Sequence, residues 1–439
     1  MKILCVAVPQ VPHYINAGHT LTLFEVAAYI REKLALRTQV LDASKGDVSW
    51  MDVARMLHKE QFGVVAILHD LGSSFEGLTL FIKYCRSVSP EAKLIVFGRE
   101  VNKVPNFYQR YDVDAIVESG DYEAGIRNFV QWLINSKHPL CGIAILDHGT
   151  WIRPSEKGEL LPAVDWVLPD VKEINYSSYD KLYSNDENKN CGIPDRMELV
   201  VPIARGCPIG CEFCEVWKRE GITERRLPVN KVIEYIKTSF AELPFEYVSF
   251  YAPTFSLKKE WVTELSNELI KLGSVYPWKC TTAMQSLDEG LIELMRRSGC
   301  IRISIGLETL GRGRDDLPIV KRIAEERFNE VALWCKKYGV ELNCFVILGL
   351  PGETLADSEY TANLVRRSGA RYRPTTYEYQ LVDDTNLTEE EIIFNAQRRF
   401  LARLSFDDQK KLNVLLFSEE NPTQIMKSIP RRMSDTEQI

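Results

Sequence analysis

Three cysteines, Cys207, Cys211 and Cys214, sit in the run Arg205-Gly206-Cys207-Pro208-Ile209-Gly210-Cys211-Glu212-Phe213-Cys214. Proline, glycine and glutamate surround them in place of an apolar stripe, so the run reads as a loop that presents sulfur to a ligand. Spacings of three residues and then two let one tight loop aim three thiolates at a common point, with no fourth cysteine nearby to close a tetrahedral site. The group they bind therefore keeps an open corner. An open iron of a cubane iron–sulfur cluster can hold a cofactor or substrate, whereas a cluster closed by four cysteines carries electrons or braces a fold. Zinc competes for the same thiolates, but its sites come as two CxxC pairs or as cysteines with histidines. All six histidines lie at or before His148. Cys5, Cys85, Cys141, Cys300, Cys335 and Cys344 stand in apolar runs and read as core residues.

Such a loop needs a rigid scaffold. Strand-like segments at Leu199–Ile203, Tyr247–Tyr251, Trp278–Thr282, Ile301–Ile305, Leu342–Leu348 and Thr375–Leu381 alternate with helical faces such as Val232, Ile233, Ile236, Phe240 and Leu243. The alternation predicts a partial (β/α)6 TIM barrel over residues 196–385, with functional groups at the carboxyl ends of its strands. A second alternating stretch runs over residues 1–145, with strands at Ile3–Ala7, Gln39–Ala43, Val64–Leu68, Leu94–Gly98 and Ala115–Glu118. It predicts a flavodoxin-like, Rossmann-type parallel sheet covered on both faces, so the fold class is α/β throughout. Ligands on such sheets bind at the carboxyl ends of the strands. Those ends are the loops Pro9–Gly18, Asp70–Ser74, Gly98–Val104 and Ser119–Glu123. No GxGxxG follows the first strand, which argues against a dinucleotide and leaves a purely structural domain open. His69, just past a strand, reads as a histidine with satisfied ring nitrogens.

Residues 146–195 break the rhythm and read as a linker, with a hairpin across Gly142–Trp151 and an exposed polar loop from Tyr176 to Lys189. Residues 386–439 read as a helical segment, capped by Thr388 with Glu391 three later, and a polar tail.

The chain has 439 residues, 45% hydrophobic and 26% charged, with a net charge of −7. That length fits two or three domains, and mixed charge without a basic stripe argues against nucleic acid as a partner. Neither a signal-peptide layout nor an apolar run of 18 residues occurs, so the expectation is a cytoplasmic protein without a membrane span. Eleven cysteines without disulfide spacing suit a reducing compartment.

The run CPIGCEFC resembles the CxxxCxΦC signature of the radical S-adenosylmethionine (SAM) enzymes, with Phe213 as the aromatic residue. The resemblance implies that Cys207, Cys211 and Cys214 hold a [4Fe-4S] cluster whose fourth iron is chelated by S-adenosyl-L-methionine. Ile305-Gly306-Leu307-Glu308 is similar to the family's ribose motif, which implies that Glu308 accepts from the sugar hydroxyls. Ile347-Leu348-Gly349-Leu350-Pro351-Gly352-Glu353-Thr354 is similar to the family's GxPGET turn, which implies that Gly349, Pro351 and Gly352 approach the adenine. Two pieces depart from the family. Ala252–Ser256 replaces an acidic DDNFT-like stretch, and Ala283 stands where relatives often carry arginine, leaving Thr282 or Gln285 for the polar ends of SAM.

The segments GHTLTLFEVAAYIRE, LIVFGREVNKVP and VDAIVESGDYEAGI resemble the cobalamin-binding domain that precedes the barrel in the cobalamin-dependent subgroup, and Leu161–Trp166 resembles the link between the two. That implies cobalamin contacts from Pro9, Gly18, Asp70, Gly72, Ser73, Gly98, Arg99, Ser119, Gly120 and Glu123. A DxHxxG motif is absent, so cobalamin is expected without a histidine on its lower face. The implied function is a methyltransferase. A 5′-deoxyadenosyl radical takes hydrogen from an unactivated carbon of a small molecule or natural-product intermediate, or of a peptide, and methylcobalamin supplies the methyl group. An external electron donor such as flavodoxin or ferredoxin is the expected protein partner. The alternative is a rearrangement, cyclisation or oxidation without methylation; a more distant one is a corrinoid or iron–sulfur sensor without turnover. A methylthiotransferase is disfavoured, because residues 1–145 hold no second cysteine triplet. No residue is assigned as a catalytic acid or base.

Overall fold

The computed structural model describes residues 1–9, 17–45, 47–70, 72–181, 192–193, 196–311, 317–378, 381, 383, 385–393 and 404–417. Two compact units emerge: Met1–Leu182 with Lys218–Gly221 and Gln380–Ile393, and Tyr183–Trp217 with Ile222–Tyr379 and Phe394–Ile439. The described part of the expected linker up to Lys181 thus belongs to the first unit, and so does the start of the segment expected as the tail.

The first unit is built on a seven-stranded sheet, β1 (Lys2–Ala7), β2 (Arg37–Asp42), β3 (Val64–Leu68), β4 (Lys93–Phe97), β5 (Ala115–Val117), β6 (Ile143–Asp147) and β7 (Thr150–Ile152). Their order is β2-β1-β3-β4-β5-β6-β7. The first five are parallel, and β6 and β7 add the expected hairpin antiparallel at the edge. β1, β3 and β4 are buried almost throughout, as strands covered on both faces must be, so they read as unbroken apolar runs. The stretch from Tyr176 is not an exposed loop at its start. Tyr176–Lys181 is a short helix, and the hydroxyl of buried Tyr179 bonds to Asp42 and Thr20. Thr388 caps the next helix as expected: its backbone N–H donates to Glu391 Oε2 at 2.9 Å, and Glu391 N–H returns to its Oγ1 at 3.2 Å.

The second unit carries a six-stranded all-parallel sheet in the order β15-β14-β13-β12-β11-β8. Its members are β8 (Glu198–Pro202), β11 (Tyr247–Tyr251), β12 (Trp278–Thr282), β13 (Cys300–Glu308), β14 (Glu341–Leu348) and β15 (Arg371–Thr376); a two-stranded ribbon of β9 (Ala204–Arg205) and β10 (Arg225–Arg226) stands apart. This is the expected six-stranded partial barrel with one displacement. The last strand runs over Arg371–Thr376 in place of Thr375–Leu381. Its helix-facing residue Tyr372 is buried under Arg366 at 5.0 Å, while Arg371 and Arg373 on the other face break the apolar signal by which strands are recognised. Phe250, Phe255 and Trp278 pack as rings on the helix side of β11 and β12. Among the described residues no helix is long and apolar enough to cross a membrane.

At the carboxyl ends of β3 and β4 the two chains nearly touch. His69 N–H donates to Phe97 O at 2.8 Å. Gly98 has φ +137, and a Cβ there would lie 2.2 Å from His69 O. His69 is fully buried. Its Nδ1 pairs with Tyr108 Oη at 2.7 Å, and its Nε2 has no hydrogen-bond partner, so only half of the expected satisfaction is met. Burial pushes the imidazole down to about 4.

Two outcomes follow for the first unit. The folded pKa of His69 lies below its unfolded value, so its contribution to stability is complete above about pH 6.5 and is lost as pH falls towards 4, amounting to about 3 kcal/mol. Urea unfolding at pH 7.5 and pH 5 is expected to register this loss, and H69Q to flatten it; equal pH slopes would contradict the assignment. G98A is expected to cost more than the ~1–2 kcal/mol of G339A, which has a left-handed φ in open space, because Gly98 adds a backbone collision to the same kind of strain.

Candidate functional site

The ribbon of β9 and β10 frames the cysteine loop. Cys207 and Cys211 are buried and Cys214 half-buried. Local bonds hold the turn: Cys214 N–H donates to Cys211 O at 3.0 Å, and Trp217 Nε1 to the same oxygen at 2.7 Å. Cys207 Sγ lies 3.9 Å from Thr254 Oγ1. Arg226 fixes that threonine from behind, donating to Thr254 O at 3.0 Å and Phe255 O at 2.8 Å with its guanidinium 4.8 Å from the Trp261 ring. Phe213 packs against Leu317, Ile347 and Leu350, its ring edge-on to Tyr377 at 6.5 Å. The loop is thereby joined to the end of β14 and to the turn that carries Gly349, Pro351 and Gly352. Thr354 closes that turn as the cap of the following helix, with Thr354 N–H on Asp357 Oδ2 at 2.9 Å.

Glu308 ends β13 with φ +58 and is buried. Lys321 Nζ donates to Glu308 Oε1 at 2.9 Å and reaches Gly306 O at 3.4 Å. A Cβ on residue 306 would lie 2.5 Å from Glu308 Oε1 and 2.7 Å from Lys321 Nζ, so a side chain there would displace the pair from this position. Burial works against the charge of Lys321, but Glu308, Cys211 and Cys207 outweigh it and raise its pKa. Burial also pushes Cys211 up to about 11, opposed by Lys321 and reinforced by Glu308, Cys214 and Cys207. Cys214 is raised by burial in the same way. Three thiols, one carboxylate and one ammonium therefore share a single electrostatic enclosure. Among the described residues no three His, Cys, Asp or Glu side chains close on a single ion. The donor set of three soft sulfurs without histidine fits an iron–sulfur group.

Other expected SAM contacts are placed differently. Thr282 is buried and bonds to Ser256, whose N–H donates to its Oγ1 at 3.0 Å. Its hydroxyl thus braces the loop after β11, in the position of the replaced acidic stretch. Gln285 is exposed in a short turn, Met284–Ser286. Lys321 was missed by sequence reasoning because it belongs to no local pattern; it meets Glu308 from thirteen residues away.

In the first unit, Asp70 and Arg99 form a forked ion pair, Nε to Oδ1 at 2.8 Å and Nη2 to Oδ2 at 3.0 Å, and Arg99 N–H adds 3.1 Å to Oδ1. Ser73 closes the turn after β3, its Oγ accepting from Asp70 N–H at 3.0 Å, with Gly72 at φ +77. Asp70, Gly72, Ser73, Gly98 and Arg99 thus meet at the ends of β3 and β4. Pro9 is buried beside Gly77, and Gly18 lies in the first turn of the helix Ala17–Leu34. Ser119 and Gly120 pack on the chain at Gly158, with Gly158 N–H on Ser119 Oγ at 3.0 Å. Glu123 is buried in the first turn of its helix. Next to it, Tyr122 Oη is buried without a hydrogen-bond partner, under the guanidinium of Arg219 at 5.2 Å. Tyr122 Oη, buried without a hydrogen-bond partner among the described residues at the ligand end of such a sheet, fits a bound polar group.

Residues 201–365 match the Radical SAM superfamily. An uncharacterized methyltransferase of Pyrococcus horikoshii is 24% identical over 384 residues, covering 86% of this chain and 80% of that protein. The radical S-adenosylmethionine methyltransferase TsrM of Kitasatospora setae, solved with cobalamin and a [4Fe-4S] cluster, superposes with a TM-score of 0.67 at 14% identity, over 85% of this chain and 72% of that one. The cobalamin-dependent S-adenosylmethionine radical enzyme OxsB, solved with aqua-cobalamin, superposes with a TM-score of 0.66 at 15% identity, over 96% of this chain and 56% of that one. The match to the Radical SAM superfamily thus covers the strands and turns of the site just described, and the chain shares the fold of TsrM and OxsB.

Proposed function

We propose that this protein is a cobalamin-dependent radical SAM enzyme that methylates an unactivated carbon of a small molecule. The observation that carries the proposal is the cysteine loop of Cys207, Cys211 and Cys214 in one unit with the buried Glu308–Lys321 pair, Nζ to Oε1 at 2.9 Å, whose ammonium acts on Cys211 and Cys214. A redox or electron-carrying site needs its sulfurs alone, whereas a carboxylate and an ammonium fixed beside them suit a zwitterionic, hydroxyl-bearing cofactor. The fold shared with TsrM and OxsB supports the same reading.

When bound, the [4Fe-4S] cluster supplies an electron to SAM and cobalamin supplies a methyl group. The residues have separate tasks. Cys207, Cys211 and Cys214 would hold the cluster, and their burial keeps water from it. Glu308, held by Lys321, would accept from the ribose hydroxyls of SAM. Phe213 and the turn Gly349–Gly352 would flank its adenine. Asp70, Gly72, Ser73, Gly98 and Arg99 would form the cobalamin edge, Arg99 being fixed in place by the Asp70 fork. A soluble one-electron donor such as flavodoxin or ferredoxin would complete the cycle.

Anaerobic reconstitution with iron, sulfide and hydroxocobalamin tests the proposal. The expected result is a protein with about four irons, a bound corrin, and 5′-deoxyadenosine release on adding dithionite and SAM. A preparation without iron would overturn it, and iron without corrin would reduce it to a cobalamin-independent radical enzyme. C211A is expected to lose iron and deoxyadenosine together while keeping corrin. E308Q is expected to weaken SAM by roughly tenfold to a hundredfold, the worth of a charge-assisted hydrogen bond of about 1.5–3 kcal/mol, with iron content preserved. Unaltered SAM affinity in E308Q would remove the ribose role.

A further inference from the structure

The register of the second sheet places its interior residues on rungs. One rung runs Val200, Ser249, Lys279, Arg302, Glu341. The next towards the carboxyl ends runs Pro202 and Tyr251 on one side and Thr281, Ser304, Asn343, Arg371 on the other. Above it lie Gly306, Phe345 and Arg373. The interior of a closed (β/α)8 barrel is packed with branched apolar side chains. Here that face is polar, and its charges do not balance. Below the rung of Gly306, Lys279, Arg302 and Arg371 stand against Glu198 and Glu341 among the described strand residues of this face.

Both carboxylates are already engaged. Lys279 Nζ lies 2.8 Å from Glu198 Oε1. Arg302 Nε donates to Glu341 Oε1 at 2.5 Å, and Arg302 Nη1 to Gly192 O at 3.0 Å. Arg371 is left with one long approach, Nη1 to that same Glu341 oxygen at 3.5 Å. It is 4% exposed, and among the described residues none of its three guanidinium nitrogens has a hydrogen-bond partner. A buried cation in that condition is costly unless something completes its shell. The face is closed below, where Gly192 meets Arg302 and Ile193 N–H donates to Tyr247 Oη at 3.0 Å. On the upper rungs it offers aromatic surface, with Tyr251 52% and Phe345 36% exposed.

We infer that Arg371, with Arg373 one rung above it, is an anion subsite inside the partial barrel that takes a carboxylate or phosphate of the substrate, whose apolar body lies against Tyr251 and Phe345. This rests on the proposal that the second unit is an enzyme. A guanidinium with a free fork is shaped for a bidentate oxyanion, which a single long contact to Glu341 does not provide. The substrate class is thus an anionic organic molecule with an apolar portion.

The test uses the reconstituted full chain, with inorganic phosphate and benzoate as probes and chloride at equal ionic strength as reference. At least one probe is expected to raise the melting temperature of the wild type and to raise it less, or not at all, in R371M, since a ligand that binds only the folded state stabilises it by mass action. R371M without anion is expected to melt no lower than the wild type, because an uncompensated buried charge has been removed; a structural role predicts the opposite. R371K, which keeps the charge and loses the fork, is expected to fall between them. No shift with either probe, equal shifts in wild type and R371M, or a lower melting temperature of R371M without anion would each overturn the inference. A fall of about tenfold or more in the SAM affinity of R371M would reassign the subsite to SAM's own carboxylate and overturn it as well. Iron content and SAM cleavage of the wild type are read on the same preparations, so a failed enzyme reading is seen separately from a failed anion subsite.

Discussion

A thiol taken out of water keeps its proton, and the loop of Cys207, Cys211 and Cys214 is held largely out of water. Burial raises Cys211 and Cys214, Cys214 and Cys207 add to the rise at Cys211, and Cys207 adds to that at Cys214. Lys321 is the cation that opposes this for both, and it is fixed there by Glu308. Metal binding has to displace protons from such thiols, so the ammonium that favours the thiolate also favours the loaded site. Much of the second unit around this loop serves the arrangement. Gly306 leaves the volume in which the carboxylate and the ammonium meet, Arg226 holds Thr254 beside Cys207, and Phe213 anchors the loop on the end of β14.

The parts of the fold that were legible in the sequence are those in which burial is two-sided or alternates cleanly. β1, β3 and β4 are continuous apolar runs between helices, a pattern that admits few other readings. The hairpin of β6 and β7 was legible from its turn, where His148 and Gly149 both take positive φ. Illegible elements carry charge where the pattern expects apolar residues. In Arg371-Tyr372-Arg373-Pro374-Thr375-Thr376, two arginines and a proline interrupt the first four positions, and the strand was therefore sought from Thr375, four residues later. The polar opening of the helix Tyr176–Lys181 hid its tyrosines in the same way, since Tyr179 is buried by bonding to Asp42.

For the site, residue type and spacing alone single out the cysteines, because three thiols separated by three and then two residues have few structural uses. Glu308 was legible only through its motif. Thr282 was offered as a cofactor contact without regard to strand parity: β12 turns its even positions, Trp278, Cys280 and Thr282, towards the helices, and the interior residues are Lys279 and Thr281. A one-residue step on a strand reverses the face, and a motif aligned only by eye does not carry that parity. Lys321 lay beyond any local signal, as do most partners brought together by a chain reversal.

The same parity gives the polar interior of the barrel its meaning. The strands from β12 to β15 each place polar or charged residues on the interior face: Lys279 and Thr281, Arg302 and Ser304, Glu341 and Asn343, Arg371 and Arg373. A closed barrel could not tolerate this, because its axis has no room for hydrated side chains. A sheet of six strands leaves its interior face accessible, and its polar groups can then be met by water or by a ligand. The ion pairs Glu198–Lys279 and Glu341–Arg302 satisfy the lowest rungs internally. Polarity left over one rung higher, at buried Arg371, belongs above the floor of the barrel, which is where a ligand's charge would be expected to complete it.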